Sequence, residues 1–357
     1  MKSFFSSDKF FLVICIILSL SLGIGIFVMP MPTFSAEENR ALAPAPRFSL
    51  SRLLSGELFE DVSDFYSDRL PLRSYMIRIK AMSELSLGKT ENNGIIFSRN
   101  GRLTDRCIYD SYQALENNME KLRGFCLDYG AICVIVPRGA DIYTSSEECD
   151  SVIEKAGAQE LRERLGSLGE DAYYKTDHHL DAEGSFALYE YVMELLGEQP
   201  LSRSQFTLTN VSEGFYGTVY SKCGLIKTAG DTVAAWRYDE DINVKVVCKD
   251  EGCGVCGLYC SEKLEIKDKY QYFLGGNHAC LNVTLPSARE PRQHLYIIKD
   301  SFANSVIPLL ARHFDLTVYD PRYCTVPISI QETDGNIVTI CGIDTLATTG
   351  SFTKMLP

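Results

Sequence analysis

The strongest constraint on the fold is a set of continuous apolar runs of the kind found in strands buried on both faces of a sheet. Residues 131–137 read AICVIVP and residues 294–299 read HLYIIK. A helical pattern over 303–314 and a further strand-like run, LTVY at 316–319, follow the second of them. Strand, helix and strand in succession indicate a parallel crossover. The sequence therefore predicts an α/β fold, with a mostly parallel sheet between two layers of helices.

Other segments add helices and a region of antiparallel strands. Asp181 is a predicted N-cap, since it directly precedes a helical pattern and Glu183 lies in the first turn. The stretch of about 206–272 alternates short polar and β-prone runs, and we interpret it as an inserted antiparallel β region. Apolar spacing predicts further helices over 53–65, 72–87, 112–129 and 182–196, and a hairpin over 94–103.

A long uncharged segment precedes the region with these patterns. Phe10–Pro32 reads FFLVICIILSLSLGIGIFVMPMP and is long enough to cross a hydrocarbon core of about 30 Å. Lys2 and Lys9 precede it and acidic residues follow it, which favours a chain whose remainder lies outside the cytoplasm. A cleaved signal segment is the alternative. We therefore expect a cell-membrane protein with a cytoplasmic N-terminus at 1–9, a transmembrane anchor or signal segment at 10–32, a linker at 33–46 and an extracytoplasmic domain at 47–357.

Composition excludes several classes of function. The chain has 35 Lys and Arg against 47 Asp and Glu, a formal charge of −12, and no basic run that would bind nucleic acid. A mean hydropathy of −0.05 excludes a membrane protein with many spans. No sequence motif calls for a cofactor.

Thirteen cysteines are the most unusual count in the composition. Four of them have the spacing C-x4-C-x2-C-x3-C, which raises a metal or iron–sulfur site as one alternative. Outside the cytoplasm, disulfides or plain thiols are the favoured interpretation, and we predict no metal there. The four residues are Cys248, Cys253, Cys256 and Cys260.

The residues that follow the predicted strands are the first candidates for chemistry, because open α/β sheets bind ligands at the carboxyl ends of their strands. Ser301 follows the run at 294–299 and precedes the predicted helix, so helix dipole and backbone N–H groups would favour negative charge there. That position suits a nucleophile. The alternative is that Asp300 or Ser301 only caps the helix.

Two of the five histidines lie together in Asp177-His178-His179, directly before the helix at 182–196. In an extended segment residues i and i+2 share a side, so we expect Asp177 beside His179, with His178 pointing away. An aspartate can fix the tautomer of such a histidine and stabilise its imidazolium form. His179 is therefore the predicted base. The alternatives are a helix-entry turn with solvated histidines and a metal site using both rings.

These motifs, with others along the chain, resemble those of the DHHW family of bacterial extracytoplasmic proteins, which is similar to the SGNH-hydrolase-like domains of alginate O-acetyltransferases. Leu180 replaces the tryptophan of the family motif, which puts in doubt the wall of the site that this ring would form. The other matching segments are ENR at 38–40, ENNG at 91–94, FYGT at 215–218, DKY at 268–270, FLGGNH at 273–278, KDSFANS at 299–305 and DPRY at 320–323.

The resemblance implies an SGNH-hydrolase-like domain with Ser301 as nucleophile, His179 as base and Asp177 as the residue that orients it. It implies an O-acyltransferase or esterase that acts on cell-surface polysaccharide, with a membrane-bound acyltransferase as a possible partner. The alternative is a non-catalytic polysaccharide-binding or assembly protein of the same fold. Candidates for the oxyanion site or substrate binding are Asn277, His278, Arg322, Arg138 and Tyr216.

Overall fold

The structure is a computed structural model in which the chain forms two compact units. The first unit takes residues 1–93 and 221–227, and the second takes residues 94–220 and 228–357. The residues described are 7–28, 32–35, 37–38, 40–98, 101–105, 112–142, 147–224, 228–250, 256–286, 291–330, 335–348 and 350–357.

The first unit is mainly helical. Its helix α2 begins at the N-cap Ser49, whose hydroxyl accepts a hydrogen bond from the backbone N–H of Arg52 at 3.2 Å. Glu38 binds the guanidinium groups of Arg40 and Arg73, each with an N–O distance of 2.9 Å. The elements are Ser7–Val28 (α1), Phe34–Ser35 (β1), Arg40–Ala41 (β2), Leu50–Ser55 (α2), Glu57–Asp68 (α3), Arg73–Ser86 (α4) and Glu91–Asn92 (β3).

The predicted membrane segment falls largely within α1. Among the residues that the structure describes, no helix is both long and apolar enough to span a membrane. The transmembrane anchor is therefore not confirmed and stays a prediction.

The second unit contains the predicted α/β core. Its strands are Ile95–Phe97 (β4), Leu103–Asp105 (β5), Ile132–Val136 (β6), Gln159–Glu160 (β7), Thr207–Phe215 (β8), Asp231–Arg237 (β9), Lys245–Cys248 (β10), Cys280–Thr284 (β11), His294–Lys299 (β12), Asp315–Tyr319 (β13) and Asn336–Gly342 (β14). Its helices are Gln113–Tyr129 (α5), Glu147–Lys155 (α6), Arg162–Leu168 (α7), Ala182–Leu195 (α8), Thr218–Lys222 (α9, whose last two residues are counted in the first unit), Ile307–Leu310 (α10), Ile343–Thr348 (α11) and Ser351–Lys354 (α12).

A seven-stranded sheet organises this unit, in the order β10-β11-β13-β12-β14-β6-β7. The pairs from β13 through β12, β14 and β6 to β7 are parallel, and the pairs of β11 with β10 and β13 are antiparallel. This confirms the mostly parallel sheet. It also places β12 and β13 side by side, as the predicted crossover requires.

Side chains from the central strands enter two separate cores. In β12, Leu295 and Ile297 belong to one core, and Tyr296 and Ile298 belong to the other. The first core also takes apolar side chains of α8 and α10, and the second takes those of α5 and α11. Because consecutive residues of a strand point to opposite faces, this division explains why the strand sequences are continuously apolar.

Two predicted elements differ from the structure. The predicted helix over 303–314 is broken into a 3-10 turn at Ser301–Ala303 and the four-residue helix α10. Pro308 lies at the start of α10 and cannot donate a backbone hydrogen bond, so an uninterrupted helix is unfavourable. In the predicted insertion, β8 and β9 form a separate antiparallel pair, but β10 joins the edge of the main sheet. Val246, on β10, packs against the first core.

Candidate active site

A tight loop carries the Asp177-His178-His179 motif. The strand-like bridge between Tyr173 and Leu180 closes the loop, and the backbone N–H of Tyr174 donates to the carbonyl of His179 at 3.2 Å. Asp181 then caps α8 as predicted, because its side chain accepts hydrogen bonds from the backbone N–H groups of Glu183 and Gly184. Both ends of the loop are thus fixed, so the motif is presented on a rigid turn.

Asp177 and His179 form a buried hydrogen-bonded pair. Nδ1 of His179 lies 2.5 Å from Oδ1 of Asp177, and the other carboxylate oxygen accepts from the backbone N–H of Thr218 at 2.7 Å. Nε2 of His179 is buried and has no hydrogen-bond partner. Burial alone would raise the pKa of Asp177, but the neighbouring His178 and His179 hold it well below its ordinary value. The carboxylate therefore stays ionised and orients the ring, which leaves Nε2 available to take a proton.

His178 does not point away from this pair, so that part of the prediction is wrong. Its ring centroid lies 3.9 Å from that of His179, and its Nδ1 is 3.6 Å from Oδ1 of Asp177. The segment is a turn and not an extended strand, so the side-chain alternation assumed in the prediction does not apply. One donor atom from each of the three residues lies within 4.8 Å of the others, so the metal alternative stays open on geometry.

The position of Leu180 shows whether the missing tryptophan of the family motif affects the wall of the site. Its side chain is fully buried in the first core and does not line the cavity beside Ser301. The leucine therefore fills the interior beneath the loop. The wall of the site does not depend on this residue.

Ser301 lies at the carboxyl end of β12, in the same cavity as His179. Asp300 caps the following turn by accepting from the backbone N–H of Phe302 at 3.0 Å, and it also accepts from Gly342 at 2.7 Å. A three-residue 3-10 turn has little dipole, so the predicted helix-dipole contribution at Ser301 is absent. The cavity has a volume of about 490 Å³ and is lined by His178, His179, Thr218, Asp268, Tyr270, Gln271, Gly275, Gly276, Asn277, Ser301, Asn304, Arg322 and Tyr323.

A buried polar chain orients Asn277, one of the predicted oxyanion donors. Nζ of Lys299 donates to Oδ1 of Asn304 at 2.7 Å, and Nδ2 of Asn304 donates to Oδ1 of Asn277 at 3.1 Å. Because an ammonium group can only donate, it fixes which end of the Asn304 amide is oxygen, and Asn304 in turn fixes Asn277. Nδ2 of Asn277 therefore points its N–H groups away from Asn304, with Tyr323 as a long contact at 3.4 Å.

Lys299 itself is held by a carboxylate inside the protein. Its side chain is 1% exposed and lies 3.3 Å from Oδ2 of Asp320, which also accepts from Arg322 at 2.7 Å. Burial lowers the pKa of Lys299, while Asp320 opposes that effect. Arg322 lines the cavity as predicted, but two of its nitrogens are bound to Asp320, so its first role is to complete this ion pair.

Three other predicted residues are not brought to Ser301. Arg138 is buried in ion pairs with Asp141 and Asp344, each at 2.9 Å. It lines a second cavity of about 280 Å³, which Asp177 and His178 also line but Ser301 does not. Tyr216 packs against Tyr220, and it does not line the cavity of Ser301.

His278, the last of the three, donates through Nε2 to the carbonyl oxygen of Leu274, 3.0 Å away. Its Nδ1 lies near Cys248 and Asp250. Its neighbour in sequence, Asn277, lines the cavity of Ser301, whereas His278 does not.

The predicted cysteine group is not a single set of thiols. Cys248 is disulfide-bonded, whereas Cys256 and Cys260 are free. Cys253 lies outside the described residues. A sulfur in a disulfide is not a thiolate, so in this state Cys248 cannot serve as a strong metal ligand.

Sequence reasoning assigned no role to Tyr270, although it belongs to one of the matching motifs. Its ring stacks on that of His179, with a centroid distance of 3.8 Å and an interplanar angle of 10°. Its hydroxyl lies 3.0 Å from the carbonyl oxygen of Ser301, to which it donates. Tyr270 therefore connects the two halves of the candidate site.

Gly217 and Asp231 also hold the motif in place. A Cβ at Gly217 would lie 2.2 Å from Oδ2 of Asp177, so only glycine fits there. Asp231 accepts hydrogen bonds from the backbone N–H groups of Lys175 and Thr176, each at 2.8 Å. Gly217 lies in a matching motif, but no local sequence signal marks Asp231, because its contact depends on the fold.

The chain matches one family model and is similar in structure to solved proteins. The family described as DHHW protein matches residues 142–320. A DHHW family protein from Eubacterium siraeum has a similar structure, with a TM-score of 0.60 and 16% identity over 74% of this chain and 96% of that one. Bacillus cereus PatB1 with a sulfonyl adduct gives a TM-score of 0.59 and 19% identity over 74% and 98%. These similarities show a common fold. Comparison with curated protein sequences gives no match.

Proposed function

The chain belongs to the DHHW family, and we propose that it is a serine-dependent O-acyltransferase or esterase that acts on cell-surface polysaccharide through an acyl-serine intermediate. One observation carries the proposal. Ser301 and the buried, unpartnered Nε2 of His179 belong to residues that line one cavity, and Asp177 holds the other ring nitrogen. Acyl transfer needs a nucleophile, a base and an orienting carboxylate, so this grouping supports the proposal.

In the proposed first step, Oγ of Ser301 attacks the carbonyl carbon of an acetyl ester while Nε2 of His179 takes the hydroxyl proton. The tetrahedral intermediate then breaks the bond to the leaving oxygen, which receives the proton from His179. A sugar hydroxyl or water reverses these steps on the acyl-serine. Nε2 has no partner within 3.5 Å, so the step requires the serine hydroxyl to approach the ring. Such contacts often tighten only when substrate is bound.

Asn277 is the proposed side-chain donor to the oxyanion. Its amide is oriented by Asn304, which is oriented by the buried ammonium of Lys299. A donor fixed before the reaction needs no reorganisation as negative charge develops. Lys299 and Asn304 are therefore positioning residues.

We also propose that the N-terminal segment anchors the protein at the cell membrane, with the second unit outside the cytoplasm. The support is the charge-free run at Phe10–Pro32 and the basic residues that precede it. A polysaccharide substrate and a membrane-bound acyltransferase as acyl donor follow from the family resemblance. Fractionation of cells and protease protection would test the anchor and its orientation.

The test of the reaction uses the full chain in detergent, an activated acetyl ester and an aryl sulfonyl fluoride. We expect turnover of the ester and one covalent sulfonyl group per chain, both lost in Ser301→Ala. Ser167→Ala, which removes an exposed serine of α7, is the matched control and should behave as wild type. Equally slow turnover of the ester by wild type and Ser301→Ala would contradict the catalytic proposal.

A non-catalytic polysaccharide-binding or assembly protein is the second candidate. The observation that favours it is the absence of a hydrogen bond between Ser301 and His179 among the described residues. It predicts oligosaccharide binding that is the same in wild type and Ser301→Ala, with no turnover in either.

A further inference from the structure

A cluster of three potential metal ligands lies outside the cavity of Ser301. It comprises Cys248 at the end of β10, Asp250 two residues later and His278, which precedes β11. One donor atom from each lies within 4.8 Å of the other two. None of the three lines the cavity, so an inference about them does not rest on the proposed function.

The separations match the edges of a tetrahedral zinc site. With bonds of about 2.3 Å to sulfur and about 2.0 Å to nitrogen, tetrahedral geometry places the two donor atoms about 3.5 Å apart. Sγ of Cys248 lies 3.5 Å from Nδ1 of His278. Oδ2 of Asp250 lies 3.8 Å from the same nitrogen, so the carboxylate has to approach by about 0.5 Å.

The surroundings fix two of these ligands. Nε2 of His278 lies 3.0 Å from the carbonyl oxygen of Leu274, so this nitrogen carries the proton and Nδ1 is the side with the lone pair. An N–H to carbonyl contact of this kind is the usual outer partner of a metal-bound histidine. The carboxylate of Asp250 accepts from the backbone N–H groups of Ala279 and Cys280 at 2.8 and 3.0 Å. Each oxygen keeps a second lone pair for a metal ion.

The oxidation state of Cys248 decides whether the set is complete. In this structure Cys248 is disulfide-bonded, and only a thiolate binds zinc strongly. A dithiol reductant would transfer two electrons and two protons to the disulfide, giving two thiols and its own disulfide. Zinc binding would then release the proton of the Cys248 thiol.

We propose that Cys248, Asp250 and His278 form a zinc site that is available when the Cys248 disulfide is reduced and is lost when it forms. Three protein ligands leave the fourth position for water or a further donor.

The experiment uses the full chain, stripped of metal and reduced with a phosphine, and titrated with Zn²⁺ against a chromophoric chelator. We expect one equivalent to bind and the affinity to fall by more than about 100-fold in His278→Ala and Asp250→Asn, beyond the 10–100-fold typical of outer-shell partners. Cys248→Ser should show the same loss. Protein oxidised to the disulfide should bind no more zinc than Cys248→Ser.

Cys256→Ser is the matched control, because it removes a nearby free thiol that is not in the proposed set. It should bind zinc as wild type does, and far-UV circular dichroism should show that every variant is folded. Absence of binding to the reduced wild type would overturn the proposal. So would zinc binding that persists in His278→Ala and Cys248→Ser but is lost in Cys256→Ser, since that result would assign the metal to other cysteines.

Discussion

Gly217→Ala is the substitution that tests the candidate site most directly without touching a reacting group. The added Cβ would lie 2.2 Å from Oδ2 and 2.5 Å from Cγ of Asp177, far closer than non-bonded atoms approach. The carboxylate is buried and is held by Thr218 and His179, so any shift away from the added Cβ stretches or breaks these hydrogen bonds. We therefore expect the aspartate to lose its alignment with the ring.

The expected magnitude follows from that displacement. A catalytic group misplaced by about 1 Å costs on the order of 10²-fold in rate. Loss of the aspartate's role in a serine protease costs about 10⁴-fold. We expect a fall in kcat/KM for an activated acetyl ester between these limits. Overpacking should also lower the free energy of unfolding by about 1–3 kcal/mol.

The assay measures ester turnover and denaturant unfolding on the same preparations. Gly124→Ala in α5 is the control, because its Cβ meets nothing within 4 Å and it lies on a different element. That change should leave turnover unchanged and stabilise the helix by about 0.5–1 kcal/mol. A folded Gly217→Ala variant with turnover within about twofold of wild type would refute the dependence of turnover on the position of Asp177.

Three further predictions concern buried residues around the site. Leu180→Trp restores the tryptophan of the family motif. Because Leu180 is fully buried, we expect the larger side chain to lower the free energy of unfolding by about 1–3 kcal/mol, measured with denaturant, and to give no gain in ester turnover. Increased turnover would contradict the placement of Leu180 in the core. Lys299→Met leaves Asp320 and Asn304 without their ammonium partner, so it should lower the free energy of unfolding in urea by about 3–5 kcal/mol. A decrease below about 1 kcal/mol would show that Arg322 alone neutralises the aspartate. Burial raises the pKa of Asp181 to about 6. Between about pH 4 and 6 the folded state therefore holds a proton that the unfolded state has lost, and stability should fall as pH rises, by up to about 3 kcal/mol. Asp181→Asn keeps a good N-cap, and its free energy of unfolding should not show this pH dependence. Parallel plots of unfolding free energy against pH for wild type and variant would contradict the role of Asp181.

The sequence predicted the parallel sheet because its strands are buried on both faces. Strands β6 and β12 each supply side chains to two cores, so no polar alternation interrupts the runs. The N-cap at Asp181 was equally predictable, since a cap depends on residues two and three positions away. Local chemistry was sufficient in both cases.

Positions set by distant residues were not predictable in the same way. The prediction of a continuous helix over 303–314 was wrong, because Pro308 and the short connection favour two separate turns. The predicted antiparallel insertion is only partly separate from the main sheet, because β10 pairs with β11 of that sheet, about thirty residues further along the chain. Adjacent candidates such as Asn277 and His278 could not be told apart until the direction of each side chain was known.

By itself the sequence determined the fold class and the family resemblance and singled out Asp177, His179 and Ser301 as candidate site residues, because hydrophobic patterning and short motifs are local properties. Only the tertiary structure decided which other side chains join them. Lys299 orients Asn304 and through it Asn277, while Tyr270 stacks on His179 and binds the carbonyl of Ser301. These contacts join residues far apart in the chain, and a hydrogen bond depends on distances that only the packed sheet and loops set.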